Sequence, residues 1–556
     1  GGKKVLSLYV AKQLCMRVPG LTGDVFSFRN YYHAFYIMKN LYIKSDRLFL
    51  LKVLPLVFLL AFCNKEIASP ELEALVPGSS DPSGGQWKPF LISNVAALNI
   101  PAPAALTSSA YQAELEAVRT AQAGADASQK AGLAYWSAGA VYRWQEIARE
   151  LAARYNLPPK SNPDGTYPAP DPNRPCDYPK FPFANPPYAS RAFAYLSVAQ
   201  YDALVAAWNF KFTFKRPAAA VNDPRIQYLK PASGLPAYPS EDAVVAGASV
   251  QILKAMFPCE SEQLEVKAQE HLESILLSGH FTRSDLDAGA TLGRQVAQTA
   301  LARAGNDGMR SAGSQALTAQ FIQQAKARGL TTPWTSQESP ARPGMLPGFG
   351  LLIPWNFEKD VLPALRPDAP PLPGSDAFKK DMDELLGFTK KLTREQHRIA
   401  SFWSDGPGSY TPPGHWNRIA ADLAYAQKLS ELRTARVMAL TTTAVADAGI
   451  TCWEAKYYYM YPRPSQMDQR IKTVVGLPNF PSYTSGHSTF SGAAATVLSY
   501  LFPQKTNELQ AMAKEASESR IYGCIHYRFD CEAGLVAGAK TASFAVERGK
   551  KDGAPQ

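Results

Sequence analysis

The stretch from Ser482 to Pro503 reads SYTSGHSTFSGAAATVLSYLFP. Small and hydroxyl-bearing residues surround one histidine, His487, and an apolar run follows. Ser485 is a good N-cap for that run, because its side chain can accept from a first-turn amide. The first amides of a helix lack internal partners and carry the positive end of its dipole, so a helix opening here makes a seat for an anion. Gly486 lets an oxyanion approach the backbone closely, and His487 stands at its edge. Taken alone, a serine before a helix is simply a cap.

A second stretch, AYPSEDAVVAGASVQILKAMFP from Ala237 to Pro258, has nearly the same frame without the histidine. The correspondence extends well beyond it, at a constant spacing of 245 positions. Asp202, Trp208 and Lys211 match Asp447, Trp453 and Lys456. Pro236, Tyr238, Ser240, Gly247 and Phe257-Pro258 match Pro481, Tyr483, Ser485, Gly492 and Phe502-Pro503. Asp285, Gly289 and Gly293 match Asp530, Gly534 and Gly538. Convergence of alanine-rich helices explains shared alanines, not one spacing held across separated blocks. The chain therefore reads as a duplicated helical unit, with two bundles that can bury their apolar faces against each other. Most segments after Leu106 carry helical apolar periodicity, and alternating strand patterns are scarce. The expected fold is all-α, with two duplicated helical bundles. Two Pro-rich connections, 156–187 and about 332–374, are too aromatic for flexible linkers and are expected to pack over the helices.

Chemistry should lie where the copies differ. The second copy has Gly486, His487, Arg520 and His526, and the first has Glu241, Asp242, Ile275 and Phe281 at the matching places. The first copy keeps its packing residues, loses two histidines and an arginine, and puts carboxylates where an anion would sit, where like charge repels. It reads as a scaffold, and the second copy as the working half. In KYYYMYPRP, Lys456 offers a point charge and Arg463 a planar fork of donors. Pro462 and Pro464 end the preceding helix, so Arg463 is expected in extended backbone. In SRIYGCIHYRFD, Gly523 allows a turn between Arg520 and His526. His526 and Asp530 are four apart, which on one helix would share a face and let the carboxylate fix the imidazole tautomer. Alone, each cation is an ordinary surface charge and the His–Asp pair a structural one. Together they supply donors for a tetrahedral or trigonal oxyanion, one histidine to bond its central atom and one to move protons.

The remaining features bound the reading. A chain of 556 residues, 46% apolar and 19% charged, has ample material for a core and is not disordered overall. The net charge of +10 is scattered, which gives a mild preference for anions and no nucleic-acid signal. Seven cysteines, none in a CxxC, form no zinc spacing, and their odd number and wide separation argue against a full disulfide framework. Cys524 and Cys531 are close enough in sequence to lie near each other. Residues 1–37 differ from the rest, and Met38 is a plausible native start. The basic segment and the apolar run Val53–Phe62 that follow are too short to span a bilayer and suit an export signal. LAFC, ending at Cys63, resembles a bacterial lipoprotein cleavage box. The expected location is therefore exported, periplasmic or outer-surface, with a possible lipid anchor at Cys63. The expected divisions are a leader over 1–68, a degenerate bundle over 69–330, a Pro-rich connection over 331–392, the working bundle over 393–546 and a polar tail over 547–556.

The blocks Lys456 with Arg463-Pro464, Ser485-Gly486-His487, and Ser519-Arg520 with His526 and Asp530 resemble the phosphatidic-acid phosphatase type 2 (PAP2) and vanadium-dependent haloperoxidase superfamily. The wider likeness runs from about Thr393 to Ala545 and includes WSDGPGSYTPPGHWN. Thr484 stands where that family usually has proline, and the first copy retains Pro239 there. The resemblance implies two uses of one cavity. In the haloperoxidase use, vanadate is the cofactor, His526 is its axial ligand, and Lys456, Arg463, Ser485, Gly486 and Arg520 hold its oxygens. Hydrogen peroxide and halide are then the substrates, His487 acts as acid and base, and Lys456 polarises the peroxide. In the phosphatase use, His526 attacks a phosphate ester to form a phosphohistidine, His487 protonates the leaving alcohol and Asp530 orients His526. Trp453 and Phe480 resemble the aromatic pair on the halide side of fungal chloroperoxidases, which favours the first use. Trp208 in the other copy also permits a plain core role for Trp453. No haem is expected, since the histidines match no haem pattern. His415, in PPGHWN, lines the entrance or caps a helix and stays outside the core set.

Overall fold

The computed structural model describes residues 72–555. The leader, Met38 and Cys63 lie outside them. Among the described residues every regular element is helical. The first half contains α1 (Ser109–Gly124), α2 (Ala127–Ser137), α3 (Ala140–Tyr155), α4 (Pro186–Phe214), α5 (Glu241–Met256), α6 (Ser261–Leu276) and α7 (Arg283–Asn306). The connection carries α8 (Gln315–Ala327) and α9 (Asp376–Lys390). The second half contains α10 (Arg394–Phe402), α11 (Thr411–Ala426), α12 (Glu431–Tyr459), α13 (Gly486–Leu501), α14 (Thr506–Tyr522) and α15 (Arg528–Lys550).

The duplication is visible in the helix ends. α4 and α12 are both 29 residues long and both stop at a left-handed residue, Lys215 and Met460. α5 and α13 are both 16 residues long and open on Ser240 and Ser485, each capping an amide three residues on. Buried pairs repeat as well: Arg191 to Asp307 and Arg436 to Asp552 are both 2.6 Å. The matched glycines have a packing cause. A Cβ on Gly293 would sit 2.1 Å from the Val244 carbonyl oxygen, and one on Gly538 2.1 Å from that of Thr489. Bare backbone there lets α5 meet α7, and α13 meet α15, at a separation no side chain permits. One core cluster runs through both halves, and the described residues, 72–555, belong to one compact unit. The Glu431 carboxylate, at the start of α12, accepts from the first amides of α3, Ala140 and Val141, at 2.7 and 3.0 Å, so the halves also share a helix cap.

Both Pro-rich connections pack over the helices, as expected. Asp202 accepts from the amides of Phe90 and Leu91, and Asp447 from those of Trp355 and Asn356, so the matched aspartates each pin a passing segment. Trp208 and Trp453 do likewise, donating to the carbonyls of Ser80 and Met345. A disulfide, Cys176–Cys259, ties connection 156–187 to the end of α5. Cysteine spacing alone did not reveal that pair. Cys524 and Cys531 do share one small buried cluster, and both are free thiols.

Candidate active site

The second-half residues converge at the inner end of a cavity of about 670 Å³. Gly486, His487, Arg520 and His526 line it, with Trp453, Phe480 and Phe490 on its wall. Its outer part is built from other segments, including Asn156 and Phe183 of the first half, Arg342 and Met345 of the connection, and 404–409.

Each side chain is aimed by a local feature of its sequence. α12 ends at Tyr459, and Arg463 follows in extended backbone with φ −71° and ψ 154°, as its flanking prolines require. Its Nε donates to the Phe480 carbonyl at 3.0 Å, and Nη1 to that of Ile525 at 2.7 Å. Nη2 is buried and has no partner. Arg520 sits in the last turn of α14, where Nε donates to Ser519 Oγ at 2.9 Å and Nη2 to the Ala400 carbonyl at 3.1 Å. α13 opens at Gly486 under the Ser485 cap. A Cβ on Gly486 would meet only ordinary 3.8 Å contacts with Phe490 and Trp453. The glycine is therefore not demanded by packing against protein, and it keeps the helix start open to the cavity.

His526 is not on the helix that carries Asp530. It lies in the turn between α14 and α15, two residues before the helix starts, and Asp530 reaches back from the first turn. The four-residue spacing thus pairs them as a helix-start bracket and not as a shared face. His526 Nδ1 is 2.8 Å from Asp530 Oδ2, which also accepts from Ser482 Oγ at 2.5 Å and the Tyr527 amide at 3.3 Å. A proton on Nδ1 satisfies that carboxylate and leaves the lone pair on Nε2. Arg463 Nη1 lies 3.0 Å from Nε2, in position to donate to it.

Lys456 is buried behind the cavity wall. Its Nζ donates to the carbonyls of Pro481, Ser482 and Thr484. The expectation that it grips an anion's oxygens directly does not match this arrangement. All three ammonium protons are engaged, so Lys456 braces the turn before α13 and lends charge from behind. The Tyr483–Thr484 peptide is cis, as is Tyr238–Pro239 in the first half. The rings of Trp453 and Phe480 are 5.0 Å apart, and Phe480 also faces Lys456 Nζ at 4.8 Å and the Arg463 guanidinium at 5.0 Å.

Burial dominates the electrostatics. It pushes Lys456 down to about 7 and Arg463 and Arg520 down to about 10, because a low-dielectric site disfavours charge. It pushes Asp530 up to about 7. His487 and His526 both fall well below the usual imidazole range through burial, and next through Arg520 beside His487 and Arg463 beside His526. A bound anion would offset the cations that hold both rings neutral.

The first half shows the contrast. Glu241, at the Gly486 position, places Oε2 2.6 Å from Lys211 Nζ. Asp242, at the His487 position, lies 3.3 Å from Lys230 Nζ. Its own carboxylates fill the seat.

Among the cavity residues that the reading of the sequence missed, one faces His487. Asp405 lines the pocket, with its Oδ2 4.0 Å from His487 Nε2, a buried nitrogen without a hydrogen-bond partner. The signal was present: Trp403-Ser404-Asp405-Gly406 matches Trp136-Ser137-Ala138-Gly139, so Asp405 stands opposite an alanine in the idle copy.

Residues 436–551 match the PAP2 superfamily. Among solved structures, the first bacterial vanadium-dependent iodoperoxidase is 26% identical with a TM-score of 0.51, covering 66% of this chain and 91% of that one. A bacterial vanadium-dependent chloroperoxidase in its holo form is 14% identical with a TM-score of 0.47, covering 69% of this chain and 96% of that one. Among curated proteins, a non-specific acid phosphatase of Salmonella typhi is 35% identical over 89 residues, 15% of this chain. The chain spans 36% of that phosphatase's length. The PAP2 match takes in Lys456 through Asp530 and leaves out Asp405, His415 and the cavity wall of the first half.

Proposed function

We propose that this protein is a vanadate-dependent haloperoxidase of the PAP2 superfamily that oxidises halide with hydrogen peroxide. The likeness to the iodoperoxidase carries the reading, because it extends over 91% of that protein and so includes the scaffold half. The residues present fit an oxyanion of vanadate's size. The buried, unpartnered Nη2 of Arg463 is a donor waiting for an acceptor; Arg520 and Gly486, which opens α13, line the cavity with His526, and Ser485 caps that helix start from outside the lining. These groups and His526 would hold the anion, with Lys456 supplying charge from behind. Bound vanadate supplies a Lewis acid that polarises peroxide toward attack by halide.

The chain's own residues do the rest. Asp530 holds the proton on His526 Nδ1, so Nε2 keeps its lone pair. His487 exchanges a proton at Nε2 with the reacting oxygens. The two guanidinium groups orient the anion and stabilise charge on it. Trp453, Phe480 and Phe490 exclude water and lower the cost of stripping a large halide. The sequence-based expectation of an export signal over Val53–Phe62 and a lipid anchor at Cys63 would fit an enzyme that works outside the cytoplasm.

The Salmonella typhi likeness favours a second reading, hydrolysis of phosphate monoesters through a phosphohistidine at His526. One experiment separates the two. Vanadate-free protein is assayed for peroxide-dependent iodide and bromide oxidation and for p-nitrophenyl phosphate hydrolysis, with and without orthovanadate. Halide oxidation that appears only with vanadate supports the proposal. Strong hydrolysis that vanadate blocks replaces it with the phosphatase.

A further inference from the structure

The segment 403–415 brings a second imidazole to the site. His415, the fifth residue of α11, places Nδ1 3.2 Å from both oxygens of Asp405. Asp405 takes a left-handed backbone, φ 42°, which turns its carboxylate back toward α11. Its Oδ2 is then the polar atom facing His487 Nε2, at 4.0 Å. His415 is itself fixed: Trp403 stacks on it at 4.5 Å and 23°, and Phe402 meets it edge-on at 5.2 Å. Trp403 also joins the two imidazoles, since its backbone hydrogen-bonds His487 while its ring stacks on His415. Its indole is held in turn by Glu515 at 2.9 Å.

We propose that His415 is a positioning residue that acts on His487 through Asp405. A carboxylate free to rotate would turn to Arg520 or to solvent in the cavity. Symmetric contact with one ring nitrogen locks its plane and leaves Oδ2 for His487. When His487 takes up a proton between Arg520 and Arg463, that carboxylate, 4.0 Å away, is the negative group paired with it among the described residues. The first half has nothing equivalent, because Ala138 and Arg143 stand at these places. The inference rests on the reading of His487 as the acid and base, and it applies to either PAP2 reaction.

The test compares His415→Leu, His415→Asn, Asp405→Asn and the His415→Leu/Asp405→Asn pair, in protein loaded with orthovanadate for halide oxidation and without it for ester hydrolysis. His415→Leu and Asp405→Asn should each lower kcat roughly tenfold with KM little changed. The pair should be no worse than Asp405→Asn alone. His415→Asn, whose amide nitrogen can stand where Nδ1 stands, should recover most of the loss. Nitrogen spectra of histidine-labelled protein, with the His487 ring assigned through His487→Gln, give a readout that needs no turnover. His415→Leu and Asp405→Asn should move the His487 Nε2 signal alike, and His415→Asn should return it. If the wild type catalyses neither reaction, the functional reading fails and the spectra still decide this one. Losses that multiply in the pair, or a His487 signal indifferent to residue 415, would overturn it.

Discussion

Replacing Asp530 by Asn probes the centre of the site, because three donors converge on one oxygen and none on the other. Oδ2 receives His526 Nδ1, Ser482 Oγ and the Tyr527 amide, while Oδ1 is buried without a partner. An asparagine can therefore put its carbonyl where Oδ2 is and keep the tautomer of His526. What it loses is the charge. With Nδ1 and Oδ2 2.8 Å apart, the charge centres of a cationic ring and the carboxylate lie roughly 4 Å apart, worth about 4 kcal/mol at an effective dielectric of about 20. The amide dipole retains part of that, so turnover should fall about 10²–10³-fold. Asp530→Ala, which also frees the tautomer, should fall further. The new NH₂ group meets no acceptor, which costs about 1–3 kcal/mol of stability. Burial pushes the wild-type carboxyl up to about 7, so it is charged above that pH and neutral below. The deficit should be full at pH 8 and shrink toward pH 6, followed as kcat for halide oxidation or ester hydrolysis. An Asn variant as active as wild type at pH 8, or a deficit that grows toward acid, would refute the charge argument.

Three further outcomes are expected. Glu241→Gln leaves the fully buried Lys211 ammonium without its partner at 2.6 Å, which should cost about 3–5 kcal/mol; for a unit of this size calorimetry should show a Tm lower by about 3–5 °C, with the active site intact. Arg463→Lys removes the unpartnered Nη2 and keeps the charge, so orthovanadate measured by equilibrium binding should weaken about 10–100-fold. Asp447 is pushed up from 3.8 to about 6 by burial. The folded chain then binds an extra proton between those values, and the stability this gives is fully present below the lower value and lost as pH rises through the upper one. Denaturant unfolding at pH 4 and pH 7 should show wild type losing about 2 kcal/mol relative to Asp447→Asn over that span.

Much of the fold was legible because two copies of one pattern could be read against each other. Periodicity gave the helices, and one constant spacing gave their correspondence, including glycines whose reason proved to be helix-to-helix contact. The site was legible by subtraction, since Gly486, His487, Arg520 and His526 are what the first copy lacks. What stayed hidden depends on direction and not on residue type. Lys456 has the right chemistry for an anion, yet the turn before α13 offers it three carbonyls first. His526 and Asp530 have a helical spacing, yet a helix starts between them. Asp405 failed to stand out because its carboxylate gains meaning only when the chain turns it beneath His415. The Cys176–Cys259 bridge joins partners brought together by a connection whose path no local pattern encodes.

The cavity draws its outer wall from Asn156, Phe183, Arg342 and the 404–409 segment, all upstream of the matched residues 436–551. A fragment trimmed to that match would keep the anion grip and lose the vestibule, leaving reactive chemistry open to bulk water. Under the proposed function the duplication would divide labour: one copy would hold the anion, and the other lends Asn156 and Phe183 to the wall that incoming molecules pass. Evolution or engineering that retunes selectivity can therefore work on the silent copy and its connections without touching a single group that handles the oxyanion.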